Sequence, residues 1–181
     1  GRGVDTFNMF GEDGRFDLDA FATGIDRHIE QQGRALILLN FPCHNPTGYS
    51  LDEAEWAAVA EVVRFAGERA PVATVYDCAY LRFADPASDH WLRSIEVILE
   101  TGTVLVAWTA SKTFAQYGAR IGALVAMHRD ADERERLYNA LSYSCRATWS
   151  NCNHQGQLAV TELLTDPDLK TRAEAEREAM I

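Results

Sequence analysis

The stretch Val106–Gly122 reads V-A-W-T-A-S-K-T-F-A-Q-Y-G-A-R-I-G and contains the end of one apolar run, a polar loop and the start of another apolar run. Lys112 lies in this loop among small and hydroxylated residues, and Arg120 follows eight residues later. The chain has two lysines and fifteen arginines, so arginine is its common basic residue and a lysine at this position is unusual. A lysine in this setting is typical of one that forms a Schiff base. Partial burial beside other cations disfavours the ammonium form, and the neutral amine is the form that attacks a carbonyl. The alternative is a solvated loop lysine followed by an ordinary surface arginine.

The composition describes one acidic domain. The 181 residues are 47% hydrophobic, which is enough for one sizeable core. The net charge is -10 and no run of Lys or Arg occurs, which argues against nucleic-acid and anionic-membrane partners. No apolar run is long enough to span a bilayer, and the start shows no signal-peptide pattern. We therefore predict a cytoplasmic protein without nucleic-acid or membrane partners.

The cysteines are scattered through the chain without a CxxC pair. Their positions are Cys43, Cys78, Cys145 and Cys152. In an intracellular protein of this size they are expected to be reduced thiols that pack rather than form disulfides. Cys43 is next to His44, but no second pair of metal ligands follows, so no metal site is predicted.

The apolar pattern predicts alternating strands and helices. Residues 35–41 form an apolar run without alternation, which is typical of a strand buried on both faces. In the helix predicted at 51–70, the candidate core residues are Trp56, Val59, Val63 and Phe65. The predicted strands are 6–10, 35–41, 72–76, 103–108 and 121–127, and the predicted helices are 17–32, 51–70, 91–100, 130–144, 156–164 and one beginning at 167.

This order of elements predicts an α/β fold with a mainly parallel sheet, one antiparallel strand and flanking helices. The antiparallel strand is the one at 121–127, because the roughly twelve residues before it are too few for a crossover helix. The only plausible domain boundary is near Asp166 and Pro167.

Polar clusters follow three of the predicted strands. Asn45-Pro46-Thr47-Gly48 follows the first buried strand, Asp77 and Tyr80 follow the second, and Ser111-Lys112 follows the third. Ligands of open α/β sheets bind outside the carboxyl ends of the strands, so these groups are expected at one edge. Pyridoxal phosphate needs an amine for its aldehyde, a carboxylate for its ring nitrogen, donors for its ring oxygen and an arginine for its phosphate.

The chain resembles the fold-type I pyridoxal-phosphate-dependent aminotransferases that include the aspartate and aromatic aminotransferases. Four motifs carry the resemblance along nearly the whole chain: N45-P-T-G48, Y76-D-C-A-Y80, S111-K-T-F with Y117-G-A-R120-I-G122, and R146-A-T-W-S-N151.

The resemblance implies a role for each matched residue. Lys112 would form the internal aldimine and carry the proton, and Asp77 would pair with the ring nitrogen. Asn45 and Tyr80 would bind the ring oxygen. Thr109, Ser111 and Arg120 would hold the phosphate. Arg146 would read the distal carboxylate of a substrate in the partner subunit's site, so a homodimer is implied.

The implied activity is transfer of an amino group between an amino acid, aspartate-like or aromatic, and a 2-oxo acid. Residues 1–165 would be the central part of the large, cofactor-binding domain, and 166–181 would begin the helix leading to a small domain. We find no match to the family's phosphate-cupping turn or to its small domain. We therefore expect an incomplete fragment that does not turn over amino acids alone.

Two other functions stay open at this point. A lyase or decarboxylase of the same fold would use the same cofactor residues. A non-catalytic sensor module would bind the cofactor and regulate a partner. Return of the cofactor from its amine form by a 2-oxo acid would identify a transaminase, and an attached basic helix-turn-helix segment would favour the sensor.

Overall fold

A computed structural model describes residues 3–84 and 89–179 of the chain. The described residues form a four-stranded sheet in the order β1-β2-β3-β4, in which the first three strands are parallel and β4 is antiparallel to β3. The strands are β1 (Ala35–Leu39), β2 (Val72–Asp77), β3 (Thr103–Thr109) and β4 (Gly122–Met127). The helices are α1 (Leu18–Gln32), α2 (Glu53–Arg69), α3 (His90–Ile98), α4 (Ala110–Thr113), α5 (Ala131–Thr148), α6 (His154–Thr165) and α7 (Pro167–Glu178). The predicted α/β class and the antiparallel strand are confirmed.

Helix ends follow from the capping residues in the sequence. The Asp17 side chain accepts from Ala20 N at 2.8 Å and begins α1, and Gly33 ends it with a left-handed φ of 69°. Asp52 and Glu55 form a reciprocal capping box at the start of α2. Asp166 ends α6 and caps α7, which begins at Pro167.

The core lies between one face of the sheet and helices α1, α2 and α3. Tyr76 is fully buried, stacks on Trp56 at 5.7 Å between ring centroids, and shares a 2.8 Å hydrogen bond with Ser94 Oγ. Burial raises the pKa of the Tyr76 hydroxyl, so this group stays neutral. Tyr76 precedes Asp77, and its packing therefore anchors the end of β2 from which the polar residues extend.

The other face of the sheet is largely uncovered in the described part of the chain. Leu36 and Leu38 are 70% and 66% exposed, whereas Ala35, Ile37 and Leu39 are buried. The prediction that β1 is buried on both faces was therefore wrong. The sequence pattern was uniformly apolar, but the described helices that pack on β1 lie on one side only.

Two further local predictions were wrong. Phe65 is 53% exposed, because the buried stripe of α2 runs through Trp56, Val59 and Val63 and continues one position later, at Ala66. Residues 6–10 form no strand. Phe10 forms an isolated bridge with Phe16 across the intervening turn, and no strand of the described residues pairs with this segment. The four cysteines are free thiols. In the described chain, no helix is both long and apolar enough to cross a bilayer.

Candidate active site

The sheet register brings the ends of the strands together. Leu39 lies opposite Tyr76, and Asp77 lies opposite Ala107. Because β4 runs back along β3 and begins at Gly122 opposite Thr109, the residues before β4 reach the same edge. The polar groups that follow β1, β2 and β3 therefore gather there together with the Arg120 segment.

Asp77 is half-buried at the end of β2. Its Oδ1 accepts a hydrogen bond from Ala79 N at 3.2 Å, which orients the carboxylate. Its backbone oxygen accepts from Asn40 Nδ2 at 3.3 Å, and Asn40 Oδ1 accepts from Asn45 N at 2.8 Å. Asn40 therefore joins the loop that carries Asn45 to the strand that carries Asp77. The sequence analysis did not identify Asn40, although a single polar residue at the end of an apolar strand was a usable signal.

Lys112 lies on α4, a single short helix where the sequence suggested only a loop. Thr109 caps this helix: its Oγ1 accepts from Ser111 N at 3.1 Å and donates to the backbone oxygen of Ile121 at 3.3 Å. Ala110 is buried and its N–H donates to the same Ile121 oxygen at 3.0 Å. These bonds hold α4 against the start of β4 and so fix the position from which Lys112 extends.

The side chains of Lys112 and its neighbours meet in front of this helix. Lys112 Nζ lies 4.2 Å from the ring centroid of Tyr117 and 5.9 Å from that of Tyr80. The predicted pair of Lys112 and Tyr80 is thus brought together. Tyr117 was quoted in a motif but assigned no role, because only the fold of the loop shows that its ring turns back to the amine. Ser111 is buried, and Thr109 already uses its hydroxyl within the loop.

Arg120 is exposed beside this group. Its Nη1 donates to the backbone oxygen of Tyr117 at 3.2 Å, and the rest of its guanidinium fork faces no carboxylate of the described chain. A cavity of about 630 Å³ lies beside it, lined by Gly118–Arg120 on one side and by Trp149 and Asn151–Asn153 on the other. Asn153 Nδ2 donates to the backbone oxygen of Ala119 at 3.2 Å and holds the two sides together.

Arg146 is not part of this group within the chain. It lies in the last turn of α5, is exposed, and donates from Nη1 to Ser150 Oγ at 2.8 Å. The structure therefore brings together Asn45, Asp77, Tyr80, Thr109, Ser111, Lys112 and Arg120, and leaves Arg146 on the surface.

Backbone strain is concentrated in the loops of this edge. Four residues other than glycine have a left-handed φ in the described chain: Cys43 (63°), Ala115 (52°), Arg120 (53°) and Ser150 (70°). Each such residue costs about 1 to 2 kcal/mol. Each falls within a loop that contains or flanks a sequence motif, and strain of this kind persists where surrounding contacts impose it, often at functional sites.

The donor set at this edge fits pyridoxal phosphate. An amine, a carboxylate, a phenol and an amide side chain come from neighbouring strand ends, and an exposed arginine with unused donors stands beside them. Arginine binds phosphate through paired donors of this kind.

Comparison with known proteins agrees with this geometry. A family model described as aminotransferase class I and II matches residues 1–181. An aromatic-amino-acid aminotransferase of Pseudomonas aeruginosa is 32% identical over 179 residues, which are 98% of this chain and 43% of that protein. A cytoplasmic aspartate aminotransferase of Caenorhabditis elegans is 30% identical over 156 residues, which are 84% of this chain and 36% of that protein.

Solved structures show the same similarity. An aminotransferase from Anaerococcus prevotii superposes with a TM-score of 0.84 and 31% identity, covering 98% of this chain and 44% of that one. An aromatic-amino-acid aminotransferase from Burkholderia pseudomallei, described as covalently bound to pyridoxal phosphate, gives a TM-score of 0.78 at 26% identity, covering 96% of this chain and 42% of that one. The chain thus spans less than half the length of these relatives. The family model matches the whole chain, and relatives about one-third identical cover nearly all of it, so the chain belongs to the class I and II aminotransferase family.

Proposed function

We propose that this chain forms the central part of the cofactor-binding domain of a pyridoxal-phosphate-dependent transaminase. The observation that carries the proposal is the placement of the Lys112 amine and the Asp77 carboxylate at neighbouring strand ends, beside Arg120. The relatives named as aromatic-amino-acid and aspartate aminotransferases support an amino acid and a 2-oxo acid as substrates. The neighbour described with covalent pyridoxal phosphate supports the cofactor.

Each residue has a task that its position allows. Lys112 would bond covalently to the cofactor and, once displaced by substrate, would move a proton at Nζ. Asp77 would hold the ring nitrogen protonated through its carboxylate, which Ala79 N already orients. Asn45 and Tyr80 would donate to the ring oxygen. Arg120 would bind the phosphate together with Ser111 and with Thr109, whose hydroxyl would exchange its bond to the Ile121 backbone oxygen for one to the phosphate. The bound cofactor supplies the electron sink for a carbanion at the substrate's α-carbon.

The remaining parts of the proposal concern the whole protein. We propose that residues 1–165 belong to the large domain and that 166–181 begin the connection to a small domain. We further propose a cytoplasmic homodimer in which Arg146 reads a distal carboxylate across the subunit interface. The exposed position of Arg146 supports this, since an arginine on the surface of one protomer is available to another.

The test of the cofactor site uses the two lysines of the chain. The protein is incubated with pyridoxal phosphate, reduced with borohydride and digested, and the labelled lysine is identified by peptide mass spectrometry. We expect label on Lys112 well above Lys170, which is exposed on α7. Arg120→Ala should weaken pyridoxal phosphate binding about tenfold or more, because hydrogen bonds to charged groups contribute roughly 1.5 to 3 kcal/mol.

Two control variants isolate the charges. Arg172→Ala removes an equal charge from an exposed position on α7 and should leave the Lys112 label unchanged. Asp77→Asn keeps an acceptor for Ala79 N but removes the carboxylate, so it should change the absorbance spectrum of the bound cofactor without abolishing the label. Equal labelling of Lys112 and Lys170 in the parent chain would contradict the proposed site.

A second experiment separates the reaction classes. The complete gene product is loaded with pyridoxal phosphate and treated with an amino acid until its absorbance shifts to that of the amine form. A 2-oxo acid should then restore the original spectrum in a transaminase. A lyase or decarboxylase would not require the 2-oxo acid, and a sensor module would bind the cofactor without this cycle.

A further inference from the structure

The Lys112 amine rests on the face of an aromatic ring. Its Nζ lies 4.2 Å from the ring centroid of Tyr117, and the ring of Tyr80 is the next aromatic neighbour at 5.9 Å. In the described chain Lys112 forms no salt bridge, so the rings are its charge-stabilising contacts. We propose that Tyr117 is a positioning residue that holds the Lys112 ammonium on its ring and thereby restrains the reaction of this amine with a carbonyl.

The attraction has a direct chemical consequence. A cation over an aromatic face is stabilised relative to the neutral amine, because the ring carries negative charge on its face. Condensation requires the neutral amine: its nitrogen forms a C=N bond to the aldehyde carbon, the carbonyl oxygen leaves as water, and the ammonium proton passes to solvent. Stabilising the ammonium form therefore lowers the fraction that reacts. The effect of Tyr117 on the reaction with pyridoxal phosphate rests on the proposed function.

The backbone holds the ring in place. The backbone oxygen of Tyr117 accepts from Arg120 Nη1 at 3.2 Å, and the left-handed residues Ala115 and Arg120 turn the loop on either side of it. The amine-holding ring and the proposed phosphate-binding arginine are thus parts of one short loop. The other titratable side chain that the described structure places against the amine is Tyr80, which follows the end of β2 and lies 5.9 Å away. Arg120 is the other charged residue of the loop itself.

The test compares the reactivity of the two lysines directly. The protein is treated with trace acetic anhydride, and the ratio of acetylated Lys112 to acetylated Lys170 is measured by mass spectrometry at several pH values. Tyr117→Leu removes the ring, and Tyr117→Phe keeps the ring but removes the hydroxyl. Tyr117→Met is a second variant without a ring, and circular dichroism verifies that each variant is folded. Tyr117 is 57% exposed, so these changes disturb little packing.

We expect the Lys112 to Lys170 ratio near neutral pH to rise roughly 2- to 5-fold in Tyr117→Leu and Tyr117→Met, which corresponds to a cation–π contact at an exposed site. The ratio should stay at the parent value in Tyr117→Phe. The gain should shrink as pH rises through the titration range of lysine amines. A gain that persists at every pH would mean easier access instead and would overturn the proposal, as would an unchanged ratio or an equal rise in Tyr117→Phe.

A parallel experiment with pyridoxal phosphate and borohydride connects the contact to the cofactor. The same variants should show the same gain in initial labelling rate at Lys112, and a gain with acetic anhydride alone would refute the restraint on the cofactor reaction. If the parent chain is not labelled by pyridoxal phosphate above Lys170, the proposed function fails. The acetylation ratios still decide whether the ring holds the amine.

Discussion

Replacing Asn40 with Ala removes the side chain that joins two of the proposed cofactor-binding segments. The change deletes the 2.8 Å bond that Asn40 Oδ1 accepts from Asn45 N and the longer 3.3 Å bond that Nδ2 donates to the oxygen of Asp77. A protein hydrogen bond contributes about 0.5 to 1.5 kcal/mol, and the longer one belongs at the low end. Asn45 is exposed, so water can replace part of the loss there. We expect the free energy of unfolding to fall by about 1 to 2 kcal/mol.

Urea denaturation monitored by circular dichroism measures this change. The midpoint should fall while the slope of free energy against urea stays the same, because the surface exposed on unfolding is unchanged. The melting temperature should fall by roughly 2 to 8 °C for a domain of this size. Labelling of Lys112 by pyridoxal phosphate should also slow, because Asn45 and Asp77 would no longer be held at a common position.

Two further variants sharpen the test. Asn8→Ala changes an exposed asparagine and should alter stability by less than about 0.5 kcal/mol. Asn40→Asp keeps an acceptor for Asn45 N but places a carboxylate against the carbonyl oxygen of Asp77, so it should not restore stability. A stability of Asn40→Ala equal to that of the parent, or a fully stable Asn40→Asp, would refute the reasoning.

Two other predictions concern the strands of the site. Gly122→Ala should destabilise the protein severely and reduce Lys112 labelling, because a Cβ at Gly122 would lie 2.5 Å from the backbone oxygen of Trp108. In the control Gly24→Ala, no heavy atom lies within 4 Å of the added Cβ, so this change should stabilise α1 by roughly 0.5 to 1 kcal/mol. Equal melting temperatures of the two variants would contradict this prediction. Burial raises the pKa of the Cys78 thiol to about 12 from 9.0, so the folded state retains a proton that the unfolded state loses. Stability should therefore fall as pH rises from about 9 to 12, with a smaller fall in Cys78→Ala and an unchanged fall in the exposed Cys152→Ala, as measured by urea denaturation at each pH.

Local features of the sequence predicted most elements of the fold. The caps at Asp17 and Asp52 and the stop at Gly33 act within a few residues, so these helix ends depend on the local sequence and not on the fold. The short connection between β3 and β4 required an antiparallel strand for a geometric reason, since a parallel crossover needs more chain. The polar residues after each strand likewise indicated one sheet edge.

The wrong predictions concern strand formation and burial, which depend on contacts with segments distant in the chain. Residues 6–10 had strand-like composition but no partner strand, and Phe65 lay one residue away from the buried stripe of α2. The uniformly apolar β1 turned out to have one exposed face, because composition does not state how many layers cover a sheet. These outcomes depend on contacts between segments that are distant in the chain.

The sequence by itself determined the order of helices and strands, the antiparallel turn and the residue types that meet at the sheet edge, because periodicity, capping and loop length are local properties. Only the tertiary structure showed that Asn40 joins Asp77 to Asn45 and that the ring of Tyr117 lies 4.2 Å from the Lys112 amine. Those contacts depend on strand register and on the path of a strained loop, and neither is encoded in the spacing of residues along the chain.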